Sequence, residues 1–269
     1  MTDGSLVPLI ESLYENFTPV ERLIADFFIK DRCQGEDFSA ERVANSLHVS
    51  NASLTRFSKK CGYAGYREFI FDYKESTHHK NTLSQELTKR VLDDYSELLY
   101  KTYQLVDEEQ MNRIIQLFVK AKRVYIYGKG SSGLVAEEMK FRFMRLGLIC
   151  EAITDSDMMR MNNALLDEDT LLIGISVSGK TKAVIQSLEM AHLKKASTLL
   201  LTANNDLSFM EFCDEILLIA VKSTLSQGNI ISPQFPILIM TDIFYAYFLD
   251  QNRSEKERIF TSTLKALEK

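Results

Sequence analysis

Two short stretches gather the residue types that hold a small anion. Gly128-Lys129-Gly130-Ser131-Ser132-Gly133 and Ser176-Val177-Ser178-Gly179-Lys180-Thr181 each follow a short apolar run and open onto a helical pattern. Backbone N–H groups at a helix start, joined by small hydroxyls, form an anion cradle. Ser176, Ser178 and Thr181 bring three hydroxyls to the second stretch, and Gly179 lets the backbone approach closely. This chemistry suits a phosphate monoester better than an apolar ligand. The first stretch also satisfies G-x-G-x-x-G, with Glu151 placed as a ribose-binding acid would be, so a dinucleotide is one alternative. The serine-rich second stretch is not part of that pattern. The plainer alternative is two tight strand-to-helix turns that bind nothing. Lys129 and Lys180 rank below the hydroxyls, because exposed lysines are usually solvated.

A different chemistry is available near the N-terminus. From 49 to 67 the chain has no acidic residue but carries Arg56, Lys59, Lys60 and Arg67. Ser50, Asn51, Ser53 and Thr55 precede or interleave with those cations. A short helix over 39–47, a turn at His48-Val49 and a second helix over 50–61 is the geometry that lays a recognition helix in the DNA major groove. Small polar groups in its first turns can approach phosphates and base edges, while Leu54 and Phe57 hold it to a core. The alternative is a helical bundle with one solvated basic face.

Other chemistries find little support. The 269 residues include four cysteines, Cys33, Cys61, Cys150 and Cys213, with no close pair, so neither a disulfide framework nor a zinc cluster is expected. His78 and His79 lie in a polar stretch and read as a solvated helix end. The net charge of −5 supplies no global attraction to nucleic acid, so any DNA contact must be local. No leader pattern opens the chain, and the most apolar late stretch, 235–249, is interrupted by Asp242. A cytoplasmic protein without a cofactor is expected.

These residues need elements to position them. Leu6, Leu9, Ile10, Leu13 and Phe17 repeat at helical spacing. Thr18-Pro19-Val20-Glu21 is a capped helix start. Gly62 is placed to end the recognition helix, and Tyr66, Phe69, Ile70 and Tyr73 predict a further helix. The polar stretch 77–84 marks a boundary. An amphipathic helix anchored by Leu87, Val91, Leu92, Leu98 and Leu99 follows, then another starting at Asp107 with Gln110. Short apolar runs at 124–127, 148–150, 171–175, 198–201 and 216–219 alternate with helical patterns, and the tail from Ser232 reads as two helices. Alternation of this kind predicts a buried parallel sheet with helices on both faces. The expected organisation is a helical DNA-binding domain over 1–79, a linker helix over 80–106 and an α/β domain over 107–269.

The run Val49-Ser50-x-Ala52-Ser53-Leu54-x-Arg56-Phe57-x-x-Lys60-x-Gly62-Tyr63-x-Gly65-Tyr66-x-Glu68-Phe69 resembles the N-terminal domain of RpiR-type regulators. Gly128-x-Gly130-Ser131-Ser132 and Ser176-x-Ser178-Gly179-x-Thr181 resemble the ligand loops of sugar isomerase (SIS) domains. The resemblance spans nearly the whole chain. It implies a five-stranded parallel sheet in a three-layer α/β domain, a homodimer or homotetramer, no membrane, and an operator-binding regulator of carbohydrate metabolism modulated by a phosphorylated sugar. By position, Gly130, Ser131 and Ser132 from the first loop, and Ser176, Ser178, Gly179 and Thr181 from the second, would hold that ligand. Ser50, Asn51, Ser53, Thr55, Arg56, Lys59 and Lys60 would meet DNA. Two departures stand out: Val177 and Lys180 beside the second-loop serines, and the stretch 223–236 with its two prolines and Gly228. An aldose–ketose phosphate isomerase is the alternative. It would need a base beside the substrate carbonyl, and neither loop contains an acid or a histidine; Glu137, Glu138 and His192 lie on helices.

Overall fold

The computed structural model describes residues 6–30, 38–78, 86–221 and 231–267. Cys33, His79, most of the expected boundary stretch 77–84 and the 223–230 part of the proline-containing stretch lie outside them. The chain divides into two compact units, Met1–Ser84 and Gln85–Lys269.

The first unit is all-helical: α1 (Leu6–Ser12), a 3-10 turn (Tyr14–Asn16), α2 (Pro19–Lys30), α3 (Ala40–Ser46), α4 (Asn51–Lys60) and α5 (Tyr66–His78). The apolar spacing of 6–17 spans a helix and then the separate 3-10 turn, leaving Phe17 extended but buried. The capping box at Thr18 forms: Glu21 N–H donates to Thr18 Oγ1 (3.4 Å) and Thr18 N–H donates to Glu21 Oε2 (2.8 Å). Phe28 is the hub of the core, with Phe69 and Tyr73 edge-on at 4.9 and 5.0 Å and Phe57 stacked at 6.2 Å. That aromatic cluster orients α4, whose Leu54 and Phe57 are fully buried.

The turn between α3 and α4 is set by backbone hydrogen bonds. Val49 N–H donates to Ala44 O (2.9 Å) and His48 N–H to Asn45 O (3.2 Å), the paired bonds of a Schellman motif. The motif puts His48 at φ +53°, a region that glycine enters more easily. The same pair of bonds closes α4, Tyr63 N–H to Ser58 O and Gly62 N–H to Lys59 O (both 3.0 Å), and there the φ of +94° falls on glycine.

The second unit carries α6 (Glu86–Leu105), α7 (Glu108–Lys120), β1 (Arg123–Gly128), α8 (Ser131–Met144), β2 (Cys150–Ile153), α9 (Ser156–Asn162), β3 (Thr170–Ile175), α10 (Lys182–Leu193), β4 (Ser197–Thr202), β5 (Glu215–Leu218), α11 (Phe235–Asp250) and α12 (Arg253–Lys265). The five strands are parallel in the order β2-β1-β3-β4-β5, as the α/β reading requires. Side chains alternate across the sheet. Val124, Ile126, Ile173 and Leu201 join the core with α7, α8 and α11; Tyr127, Leu172 and Leu200 join a second core with α9 and α10. Gly174 has no side chain because Leu188 and Val184 of α10 leave a Cβ only 2.8–2.9 Å.

Three details differ from the sequence reading. The second strand is Cys150–Ile153 rather than 148–150, because pairing of Val124 with Cys150 fixes its start. Of the expected α6 anchors, Leu98 is buried and Val91 packs beside it, while Leu87, Leu92 and Leu99 are exposed. Asp107 caps α7 through Glu109 and Gln110 N–H, but the Gln110 side chain crosses to Ile216 O (3.0 Å) and Glu215 on β5.

Replacing His48 with glycine relieves the positive-φ strain and is expected to stabilise the first unit by about 0.5–1 kcal/mol, whereas His48→Val should destabilise it. Thermal unfolding checks this; a glycine variant that melts no higher than the parent contradicts it.

Candidate functional site

β1 and β3 are adjacent in the sheet, with Gly128 paired to Ile175. The chain leaves β1 toward β2 on one side and leaves β3 toward β4 on the other, so the sheet reverses its order between them. Open α/β sheets bind ligands at such a switch point, beyond the carboxyl ends of the strands. The 128–133 and 176–181 loops therefore start side by side.

Each loop is held by identifiable contacts. A Cβ on Gly128 would meet Ser132 O at 2.5 Å, so only glycine allows α8 to begin so soon after β1. Gly130, at φ +56°, is the N-cap of α8. Ser131 is exposed and Ser132 half-buried. Lys129 Nζ reaches Ser156 Oγ (2.6 Å) at the start of α9. In the second loop Ser176 is buried, at 1% exposure, and its hydroxyl donates to Thr181 Oγ1 (3.0 Å) while accepting from Thr181 N–H (3.3 Å). Ser176 thus closes the loop on itself, whereas Ser178 is exposed and Thr181 half-buried. Gly179 sits at φ +67° with no space for a Cβ beside Asn204 and Phe209.

The structure adds residues that the motifs did not single out. Asn204, just past β4, donates from Nδ2 to Ser178 O (3.4 Å), and Gln234 donates to Ser131 O (3.2 Å). Their only sequence signal is position, one immediately after a central strand and one before a late helix. Farther along the same edge a half-open hollow of about 290 Å³ lies between the ends of β4 and β5 and the last turn of α6, lined by Lys101, Gln104, Asn205 and apolar neighbours.

The alternative chemistries lose their residues. Glu151 is paired with Tyr125 in the sheet register, three residues short of Gly128, and its carboxylate accepts from Lys140 Nζ (2.6 Å). At about 3.3 Å per residue it lies roughly 10 Å from the loop where a ribose would sit. Glu137, Glu138 and His192 are exposed on their helices. Burial pushes the thiols of Cys61 and Cys213 up to about 12 and that of Cys150 to about 11, which leaves them protonated at neutral pH. Among the described residues no cluster of three or more His, Cys, Asp or Glu could hold a metal, and no helix is long and apolar enough to cross a membrane.

In the helical unit, α4 presents Asn51, Arg56 and Lys59 as exposed and Thr55 as half-exposed. At helical spacing these four share one face, opposite Leu54 and Phe57. Ser50 and Ser53 are spent on the cap: Ser53 N–H donates to Ser50 Oγ (3.1 Å), the two hydroxyls lie 2.9 Å apart, and Arg56 donates to Ser53 Oγ (3.2 Å). Lys60 turns away from that face. Its ammonium donates to Asn16 O (2.7 Å) and Glu21 Oε2 (2.9 Å), and it lies 5.7 Å from the Phe17 ring centre.

Fold and loops together define a helix-turn-helix protein with an α/β domain whose two glycine- and serine-rich turns lie at the carboxyl ends of adjacent strands. The model of the helix-turn-helix domain of the rpiR family matches residues 4–80, and that of the SIS domain matches residues 117–240. An uncharacterized HTH-type transcriptional regulator of Haemophilus influenzae is 27% identical over 257 residues, covering 90% of this chain and 89% of that one. The HTH-type transcriptional regulator RpiR of Escherichia coli K12 is 24% identical over 250 residues, covering 89% and 84%. The solved structure of the Vibrio vulnificus NanR protein complexed with ManNAc-6P has the same fold, with a TM-score of 0.62 at 20% identity over 97% of each chain. The chain belongs to the rpiR family of helix-turn-helix transcription regulators with a C-terminal SIS domain.

Burial works to raise the Glu21 pKa, but the Thr18 N–H and the Lys60 ammonium outweigh it and hold the carboxyl below its usual 4.5. A depressed carboxyl contributes stability above its usual pKa and loses it as pH falls through the lowered value. Glu21→Gln keeps the cap but removes the charge facing Lys60. It is expected to cost about 0.5–1 kcal/mol at pH 7, with the deficit shrinking as pH falls through the carboxylate range. Melting curves at several pH values test this; a pH-independent deficit contradicts it.

Proposed function

We propose that this regulator reads an operator through α4 and that a phosphorylated sugar, held between the 130–132 and 176–181 loops, modulates that binding. The observation that carries the reading is the register of Gly128 with Ile175, which starts two hydroxyl-bearing loops side by side. A phosphate there would accept from first-turn amides of α8 and α10 and from Ser131, Ser132, Ser178 and Thr181. Ser176 shapes the second loop from behind, Gly130 and Gly179 allow the backbone approach, and Asn204 braces the Ser178 carbonyl. On α4, Asn51, Thr55, Arg56 and Lys59 face the groove, Ser50 and Ser53 cap the helix toward the phosphates, and Lys60 fixes the helix to α2.

Two such units on a two-fold homodimer, or on a homotetramer built from it, suit a palindromic operator. The sugar phosphate shifts DNA affinity only by binding one arrangement of the assembly better than another. The absence of an acid or histidine from both loops, together with relatives described as transcription regulators, supports a sensor that binds its ligand unchanged rather than an isomerase. A cytoplasmic location follows from an operator as target.

A panel of hexose, aminosugar and disaccharide phosphates, including ManNAc-6P, with free sugars and NAD as controls, should raise the melting temperature with one phosphate and not with its free sugar. Saturation at a hundred times the Kd adds about 2.7 kcal/mol; a response to NAD alone, or to no phosphate, refutes the sensor.

Arg56→Ala should weaken operator binding with ligand affinity intact. Ser178→Ala should weaken the ligand about tenfold or more with DNA binding intact. Lys59→Ala should lower the salt slope of DNA binding by about one. Gel-shift and calorimetric titrations read these effects; equal damage to both activities by each variant refutes separate sites.

A further inference from the structure

A chain of buried polar groups runs behind the two loops, between β1 and α10. Tyr127, the residue before Gly128, is fully buried, and Asn163 and Ser187 are 8% and 1% exposed. Asn162 Nδ2 donates to the Tyr127 hydroxyl (2.8 Å), and that hydroxyl points to Asn163 Oδ1 at 3.5 Å. Asn163 Nδ2 donates to Ser187 Oγ (3.0 Å), and Ser187 donates to the Ala183 carbonyl (2.7 Å) in the first turn of α10. Burial pushes the Tyr127 phenol up to about 12, so it stays a donor.

Every link touches an element that carries a loop. Tyr127 ends the strand that feeds the first loop. Ser187 and Ala183 belong to the helix that the second loop opens. α9 joins them: its start holds Lys129 through Ser156, and its end supplies Asn162 and leads directly into Asn163. β1 and β3 fix the two loop origins through the sheet, and the sheet meets α10 through apolar packing, Gly174 against Val184 and Leu188. An apolar contact fixes the angle of α10 loosely, since hydrocarbon packing is not directional. Hydrogen bonds between buried partners define one arrangement, because any slip leaves a polar group unsatisfied.

We infer that Tyr127, Asn163 and Ser187 are positioning residues that set the spacing and tilt of the two anion loops, and so tune affinity for the phosphate group without touching it. This role rests on the reading of those loops as a phosphate cradle.

The test uses the full-length chain with Tyr127→Phe, Ser187→Ala and Phe244→Leu, the last altering a buried residue in the opposite layer. Affinity for inorganic phosphate is measured by calorimetry, and backbone amide exchange is followed over 128–134 and 176–184. Tyr127→Phe and Ser187→Ala are each expected to weaken phosphate binding about five- to tenfold, the scale of one buried hydrogen bond. Both should speed exchange in the two loops, whereas Phe244→Leu lowers the melting temperature with loop exchange and phosphate affinity unaltered. Unchanged loop exchange in Tyr127→Phe and Ser187→Ala, or equal loosening by Phe244→Leu, overturns the inference. Faster loop exchange in a protein whose parent binds no phosphate upholds the positioning role and overturns the cradle reading instead.

Discussion

Between Gly128 and the carbonyl of Ser132 there is no room for a methyl group. That one close approach sets much of the α/β unit. It lets α8 start three residues after β1 ends, with its first-turn amides directly above the sheet edge. Gly133, against Thr154 and the Gly128 carbonyl, extends the tight packing one turn further. Gly174 plays the matching part beneath α10, where Val184 and Leu188 occupy the space a side chain would need. With β1 and β3 locked in parallel register, the loops that open the two helices start side by side. An anion held there, as proposed, would meet two helix N-termini instead of one, and the partial positive charges at the two helix ends would act together.

The helical unit solves a different problem: a short helix must be held rigidly while one whole face stays free. The Phe28, Phe57, Phe69 and Tyr73 cluster grips the inner face of α4, and a Schellman closure fixes each of the two turns that flank it. Lys60 contributes from the end. By engaging Asn16 and Glu21 it ties α4 to the start of α2 and neutralises an acid that would otherwise lie near the basic face. The outer face therefore keeps Arg56 and Lys59 with no acid on the same helix. In a chain of net charge −5, this local arrangement is what makes attraction to a polyanion possible.

How much of this could be read from residues alone depends on how local each determinant is. The capping box at Thr18, the glycine stop at Gly62 and the central strands β3 and β4 are local, and they stand in the sequence as apolar runs or cap signatures. The apolar run at 148–150 begins two residues ahead of β2, because an edge strand is half exposed and its register is dictated by β1, not by its own pattern. Leu87, Leu92 and Leu99 carry helical periodicity yet remain exposed; the spacing of apolar residues says which face they share, not whether a partner covers it. The basic run near α4 gave its cations no order, and only the folded chain separates Lys60, which faces Glu21, from Lys59, which does not. Likewise Ser176 and Ser178 are equivalent in a motif but opposite in the structure, one buried and bonded to Thr181, the other open to solvent. The Asn163 link joins residues 127, 163 and 187, and no window short enough to show periodicity contains all three.

The division of work between Ser176 and Ser178 bears on how such a site could regulate anything. A ligand that binds two arrangements of a protein equally well changes nothing, however tightly it binds. A loop closed by its own hydroxyls, as Ser176 and Thr181 close this one, exists before the ligand arrives. Little binding energy is then consumed in ordering it, and more remains to discriminate between arrangements. A tenfold change in operator affinity requires about 1.4 kcal/mol of difference, which one hydrogen bond to a charged oxygen can supply if it forms in only one arrangement. Regulation by this fold therefore needs no large rearrangement of the loops. On the proposed reading, a tilt of α10 that brings or withdraws a single first-turn amide would be enough, and the groups placed to govern that tilt are the buried ones, Tyr127, Asn163 and Ser187, rather than the loop hydroxyls.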